Sequence, residues 1–348
     1  IIMCSFLFVP TKLTKFYYIP SILPTFVKQK DINMHILRYN PQLKSDWDGF
    51  ISTSRNATFL FYRDYMDYHS DRFCDCSLVA YDDQDRVLAL LPAAIDGDVV
   101  TSHGGLSYGG WILGPKSPDI LQMMQIWPLM MRAYRLLGAR ELIYRPVPHI
   151  YHKYPSEEDL YALYRNGATV DRVLISSVID LRSPVVCSSS VKWHFNKGRR
   201  EGIMISQSDD LDSFWDILSV RLDERYSAVP VHTIDEMRLL KSLFPDNIVL
   251  YVATTSAGDM LCGVLVYVCG DVVKSQYAAS TSLGREHHIN DVMNAELIQR
   301  FREEGYRYFD LGTANEDGGN VLNEGLVKQK ISFGGRGVAY NSYKISLS

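Results

Sequence analysis

The 348-residue sequence has no CxxC pair, no apolar run long enough to cross a bilayer, no surplus of basic charge and no long heptad pattern. Its six cysteines (Cys4, Cys74, Cys76, Cys187, Cys262, Cys269) are scattered. Neither a zinc ribbon nor a disulfide framework is therefore expected, and reduced thiols in a cytoplasmic protein are the reading. Cys74 and Cys76 fall where a strand begins and would share one of its faces, a poor basis for a metal site. The formal net charge of −4 offers no footprint for DNA or for an anionic membrane. The apolar stretch at the start stops at Pro10, too short to span a bilayer. It also lacks the basic start and small-residue cleavage site of a secretory signal. Met34 opens "MHILRYN", the first expected strand. Residues 1–33 are accordingly expected as a poorly ordered N-terminal extension. Their aromatic and lysine content makes a peripheral membrane-facing segment the alternative.

What is present is a globular composition, 47% hydrophobic and 22% charged, at a length that suits two domains. The tetrapeptide GDVV occurs twice, at Gly97–Val100 and Gly270–Val273, and the elements around it repeat. In the second half, "NIVLYVATT", "MLCGVLVYVC" and "VVKSQYAAS" read as a three-strand meander with turns at "SAGD" and Gly270-Asp271. A loop, "TSLGREHH", leads to a helix with Met293, Leu297 and Phe301 on one face, which Gly305 stops. A strand, "YRYFDLG", a polar loop, the short helix "EGLVKQKISFG" and a last strand follow. In the first half, "CSLVAYD", "RVLALLPAAI" and "VVTSH" make the same meander. A glycine-rich loop, a helix with Pro128 inside, a strand, a helix ending at Gly167 and a strand complete it. Matching elements lie about 170 residues apart, as an internal duplication would place them. "RSPVVCSSS" reads as a hinge, so the expected domains are 34–185 and 186–348. Three helical segments, "VKWHFNKGRREGI", "LDSFWDILSVRLDERY" and "TIDEMRLLKSLF", decorate the second.

The meander–helix–strand–helix–strand order resembles the GNAT acyltransferase fold, an α+β arrangement on a mixed sheet. Two copies in one chain resemble the Fem-like (FemAB-type) family of tandem GNAT-fold transferases, which includes the peptidoglycan-bridge aminoacyl transferases. The resemblance rests on "KWHFNKGRREGI", "GYRYFDLG" and "LNEGLVKQKISFGGRGVAY". The last is similar to the family's closing helix, in which a lysine precedes a Phe-Gly pair, here Lys330 and Phe333-Gly334. The resemblance implies an N-acyltransferase that moves an acyl or aminoacyl group onto an amine of a cell-envelope or surface-polysaccharide precursor. It implies acyl-CoA or aminoacyl-tRNA as possible donor, a small-molecule, glycan or peptide acceptor, and no tightly bound cofactor or metal. Two departures bear on the donor. The coiled-coil arm of many tRNA-using members is missing, and "TSLGRE" keeps only Gly284 of the usual Q/R-x-x-G-x-G/A pyrophosphate loop. A carrier-bound donor, and a catalytically inactive GNAT pair acting as a binding module, are the alternatives.

Acyl transfer to an amine needs a base for the amine, donors for the tetrahedral oxyanion and a partner for the leaving group. Lys330 falls on the apolar stripe of its helix with Leu326, while Lys328 and Gln329 point away. It is expected to hold a donor phosphate or developing negative charge, against the alternative of a lysine near a helix C-terminus. His232, Asp317 and Glu324 are the further catalytic candidates, with Asp310 as base or buried structural acid. Glu324 also suits the first turn of its helix. Ser280, Gly284, Arg285 and Asn290 are expected at the donor. Tyr108, Trp111, Arg225, Tyr226, Gln276, Tyr277, Asn315 and Asn323 are expected at the acceptor, with Gly109 and Gly110 permitting close approach. "KGRR" at Lys197–Arg200 reads either as a phosphate receptor or as a solvated helix face. His287 and His288 are adjacent and diverge, so no metal pair is expected there.

Overall fold

The computed structural model describes residues 26–28 and 34–347, apart from the side chains of Phe26–Lys28 and Tyr226. The expected extension 1–33 lies outside them except for Phe26–Lys28, which pairs antiparallel with the strand Met34–Arg38. No helix of the described residues is long and apolar enough to cross a membrane. Two compact units emerge, one of residues 174–339 and one ending at Val173 to which residues 340–348 return. The chain therefore divides at 173/174, inside the strand Thr169–Asp180, rather than at the "RSPVVCSSS" hinge. The last strand counts with the N-terminal unit because Tyr343–Ser346 pairs with Glu141–Tyr144 and Ile345 and Leu347 enter that unit's core.

In the C-terminal unit the strands Ile248–Thr254, Met260–Cys269 and Val272–Ser280 form the expected antiparallel meander, with Met204–Ser208 at its edge. These near-continuous runs of Val, Ile, Leu and Tyr are buried along most of their length, as a sheet covered on both faces requires. The helix Ile289–Glu303 covers one face with Met293, Leu297 and Phe301. Leu211–Tyr226 and Ile234–Leu243 supply Phe214, Trp215, Leu218, Met237 and Leu240 to the interior. Thr233 and Glu236 close a capping box on the second of these helices.

The N-terminal unit departs from that plan at one point. "RVLALLPAAI" is two strands, not one: Val87–Leu91 pairs with Leu78–Asp82, and Ala94–Asp96 pairs with Val99–Thr101 in another sheet. Pro92 stands between them, and its fixed φ and missing N–H cannot continue a ladder. Cys76 is buried and Cys74 exposed, so the two do not act as a pair.

The turns repeat between the two units. In each GDVV turn the glycine takes a left-handed φ (+60° at Gly97, +63° at Gly270), so that Asp96 faces Val99 and Cys269 faces Val272. The following aspartate carbonyl then accepts from the start of the parallel strand, Asp98 from Arg140 and Asp271 from Arg307, both at 2.8 Å. Both long helices end alike. Ala139 N–H returns to Tyr134 C=O around Gly138, and Tyr306 N–H to Phe301 C=O around Gly305, the closure that a left-handed glycine permits. The two short helices repeat it with Ala168 to Leu163 around Gly167 and Gly335 to Lys330 around Gly334. These closures align Leu163 with Lys330.

The N-terminal unit buries an acid. Tyr144 donates to Asp159 at 2.5 Å while accepting from Trp111 N–H at 2.6 Å. Burial pushes the Asp159 carboxyl from 3.8 up to about 7. Between those values the folded chain holds a proton that the unfolded chain has lost, so this group's contribution to stability falls as pH rises from about 4 to about 7. Asp159→Asn, which stays neutral, is expected to have a melting temperature that rises relative to wild type between pH 5 and pH 8. His103 and His152, whose imidazoles burial holds below their usual range, slope the other way but cancel in the difference. Equal melting differences at both pH values would refute the assignment.

Candidate functional site

The strand Val272–Ser280 carries most of the candidate site. It runs parallel to Tyr308–Thr313 for three positions only, Val272 with Tyr308, Val273 with Phe309 and Lys274 with Asp310, and beyond them the two strands part. On its other side the register slips: Leu265 faces Tyr277 but Val266 faces Ser275, leaving Gln276 as the extra residue of a bulge. Bulges take backbone groups out of the ladder and re-aim side chains. A bulge beside a parting seam is a place where main-chain groups outside the ladder can meet another molecule.

The matching seam in the N-terminal unit is shut. Val99, Val100 and Thr101 pair with Glu141, Leu142 and Ile143. Thereafter Ser102 N–H bonds to Ile143 C=O, Arg145 N–H to Ser102 Oγ, and Gly109 N–H to Arg145 C=O at 2.7 Å. A Cβ on Gly109 would lie 2.2 Å from the Ser102 oxygen, and one on Gly110 2.8 Å from the Tyr144 ring. The glycine-rich loop thus admits its own chain. Tyr108 and Trp111, expected to form an acceptor platform, are 1% and 0% exposed. They belong to the interior and offer no face to a ligand.

Three buried charges mark the open seam. Lys274 and Asp310 share its last paired position and hence one face of the sheet. Asp310 accepts from Gly312 N–H at 2.8 Å and from the Ser176 hydroxyl. Lys330, 2% exposed, donates to the Gly312 and Thr313 carbonyls, both at 2.8 Å. The corresponding residues of the N-terminal unit are Thr101, Ile143 and Leu163. Desolvating an ion costs several kcal/mol, and the fold evidently does without these ions in its other copy.

Facing the helix Leu211–Tyr226, Tyr277 and His232 form a buried pair, Nδ1 to hydroxyl 2.6 Å, with Trp215 edge-on to the Tyr277 ring. His232 directly precedes the Thr233 cap, so the helix start fixes its position. Nearby, Arg221 and Arg285 both pair with the Glu224 carboxylate, and Arg225 lies close to Arg221. Burial, then Arg285 and Arg225, depress the pKa of the Arg221 guanidinium. Arg285 also donates to Ser280 C=O and Ser282 Oγ, each at 2.9 Å.

The remaining candidates are placed as follows. Gly284 sits in the short helix Ser282–Glu286, where a Cβ would lie 2.3 Å from the Leu261 carbonyl; close packing demands the glycine. Asn290 accepts from the Asn294 amide. Glu324 is exposed and paired with Lys328 at 3.0 Å, and Asp317 lies exposed in a tight turn at φ +47°. Asn315 accepts from Ile175 N–H at 2.8 Å, and Asn323 caps the helix Glu324–Ser332. All four therefore shape the polar loop. The Tyr226 side chain lies outside the described residues. Sequence reading missed Lys274, Ser176 and Arg221. Laying one GDVV segment over the other would have exposed Lys274, which takes the place of Thr101.

Residues 191–317 match the family model described as an acetyltransferase (GNAT) domain. FemX is similar in structure: 12% identity, TM-score 0.63, covering 89% of this chain and 96% of that one. L-PGS from Bacillus licheniformis is similar at 13% identity and TM-score 0.55, covering 91% and 94%. The C-terminal domain of an Agrobacterium fabrum protein assigned as a lysylphosphatidylglycerol synthetase gives 14% identity and TM-score 0.52, covering 75% and 81%. No curated protein matches by sequence. The fold is that of FemX, and residues 191–317, a GNAT domain, contain the open seam.

Proposed function

We propose that the chain transfers an acyl or aminoacyl group onto an amine of a cell-envelope or surface-polysaccharide precursor, with the chemistry in the C-terminal unit. The observation that carries this reading is the contrast between the two seams: one is sealed by glycines, the other parts at a Lys274–Asp310 pair beside a bulge. In this reading the His232 imidazole takes the proton of the acceptor amine. The amine nitrogen then attacks the acyl carbonyl, and main-chain donors at the bulge hold the oxyanion until the leaving group departs. The arginine cluster suits an anionic donor or acceptor, such as a phosphate-bearing molecule. The similarity to FemX and to a protein named for lysylphosphatidylglycerol synthesis favours an aminoacyl donor, and the packing role of Gly284 supports it by removing one reason to expect coenzyme A.

Native mass spectrometry of the full chain with acyl-CoAs, charged tRNAs and nucleotide-sugars, followed by turnover with any that bind, tests the reading. Binding and transfer with an aminoacyl-tRNA is the expected result. Transfer from acyl-CoA alone would overturn the donor, and no binding of any donor would favour a binding module.

A further inference from the structure

We infer that the C-terminal unit carries a divalent transition-metal site, of the kind that takes Zn²⁺, built from His194, His288 and Asp291. The three come from two helices, Ser189–Arg200 and Ile289–Glu303. Their packing is set by Gly198, where a Cβ would lie 2.9 Å from both Val292 methyl groups. That close approach brings His194 Nδ1 to 2.7 Å from Asp291 Oδ2, across 97 residues of sequence. One ligand atom from each of the three residues lies within 4.8 Å of the others.

The donor set selects the class of ion. Two imidazoles and one carboxylate suit Zn²⁺ or a neighbouring first-row ion and leave a fourth position open, whereas Mg²⁺ and Ca²⁺ require mostly oxygen. His288 holds the left-handed conformation at φ +55° that begins its helix, which is uncommon for a residue other than glycine. This sets its side chain beside His194, the rings stacked at 4.0 Å. Stacked rings cannot both aim a lone pair at one ion. His288 is exposed, so its ring can turn out of the stack and bring the donors to the spacing of about 3.4 Å that tetrahedral Zn–N bonds imply. His194 and Asp291 are held by the helix packing and form the fixed half. His287, the residue next door, turns instead to Glu201 at 3.7 Å, so the adjacent histidines diverge and only one joins the site.

The site lies apart from the His232–Tyr277 pair in sequence and shares none of the residues assigned to acyl transfer, so its test is independent of turnover. The full chain, stripped with a chelator, is titrated calorimetrically with ZnCl₂ and followed with Co²⁺ in the visible region. Trp193, 5.3 Å from His194 ring to ring, reports Cu²⁺ through fluorescence quenching. One Zn²⁺ per chain is expected, weakened by at least about tenfold in His288→Ala, His194→Ala and Asp291→Asn, with quenching lost in the first two. His288→Ala changes an exposed residue and decides the matter if the others fold poorly. Zn²⁺ binding unchanged in His288→Ala, or no stoichiometric binding by the wild type, would overturn the inference.

Discussion

Exchange of His232 for glutamine is expected to lower turnover by about 10²–10⁴-fold, the usual contribution of a positioned general base, while leaving the melting temperature nearly unchanged. Glutamine is of similar size and can keep a hydrogen bond to Tyr277, so the buried site (His232 is 7% exposed) is neither emptied nor left with a stranded hydroxyl. What it cannot do is accept and hold a proton near neutral pH. Tyr277→Phe separates orientation from proton transfer: the base remains but loses the hydroxyl that fixes its ring, 2.6 Å away. A smaller loss, of about tenfold, with a shifted acidic limb in the pH–rate profile, is expected there. Steady-state rates between pH 5.5 and 9 check both. Full activity in His232→Gln would move the base elsewhere.

Lys330→Met should act on stability and turnover together. Methionine fills most of the volume but abandons the Gly312 and Thr313 carbonyls, which the ammonium satisfies at 2.8 Å. Leaving such buried acceptors without a donor costs about 1–3 kcal/mol each, so a lower melting temperature is expected. The variant should still fold, because Leu163 holds the corresponding place in the other unit and is itself buried. Turnover measured well below the melting transition is expected to fall by about 10²-fold, since the same two carbonyls end the strand that carries Asp310. Wild-type turnover in a folded Lys330→Met would reduce the lysine to a structural staple.

Much of the scaffold is legible without coordinates. The paired GDVV turns, the glycines that stop the four helices and the inward stripe holding Lys330 all depend on short-range chemistry, which sequence reports well. What depends on register or on distant packing is not legible. The Lys274–Asp310 pair exists only once two strands 36 positions apart are set in parallel register. Tyr108 and Trp111 look like a platform because aromatics near glycines suit both a ligand site and a tight interior loop. Only the 2.2 Å approach of the Gly109 position to Ser102 distinguishes the two. Pro92 was visible, but a proline between apolar runs does not say that the second run leaves for another sheet. The glycine at Gly284 suits a phosphate loop and a close contact equally in sequence, and only the Leu261 carbonyl beside it shows the second.

The return of the last strand to the N-terminal unit has a consequence for the order of events during synthesis. A domain whose residues are contiguous can begin to fold as soon as it leaves the ribosome. This one needs Ile345 and Leu347 for its core and a partner for Glu141–Tyr144, and those are made only after residues 174–339 of the other unit. Of the two units, the one begun earlier is therefore completed later. A ribosome that stops shortly after Gly335 would release a chain whose C-terminal unit has nearly all its parts, while the unit that preceded it still lacks an edge.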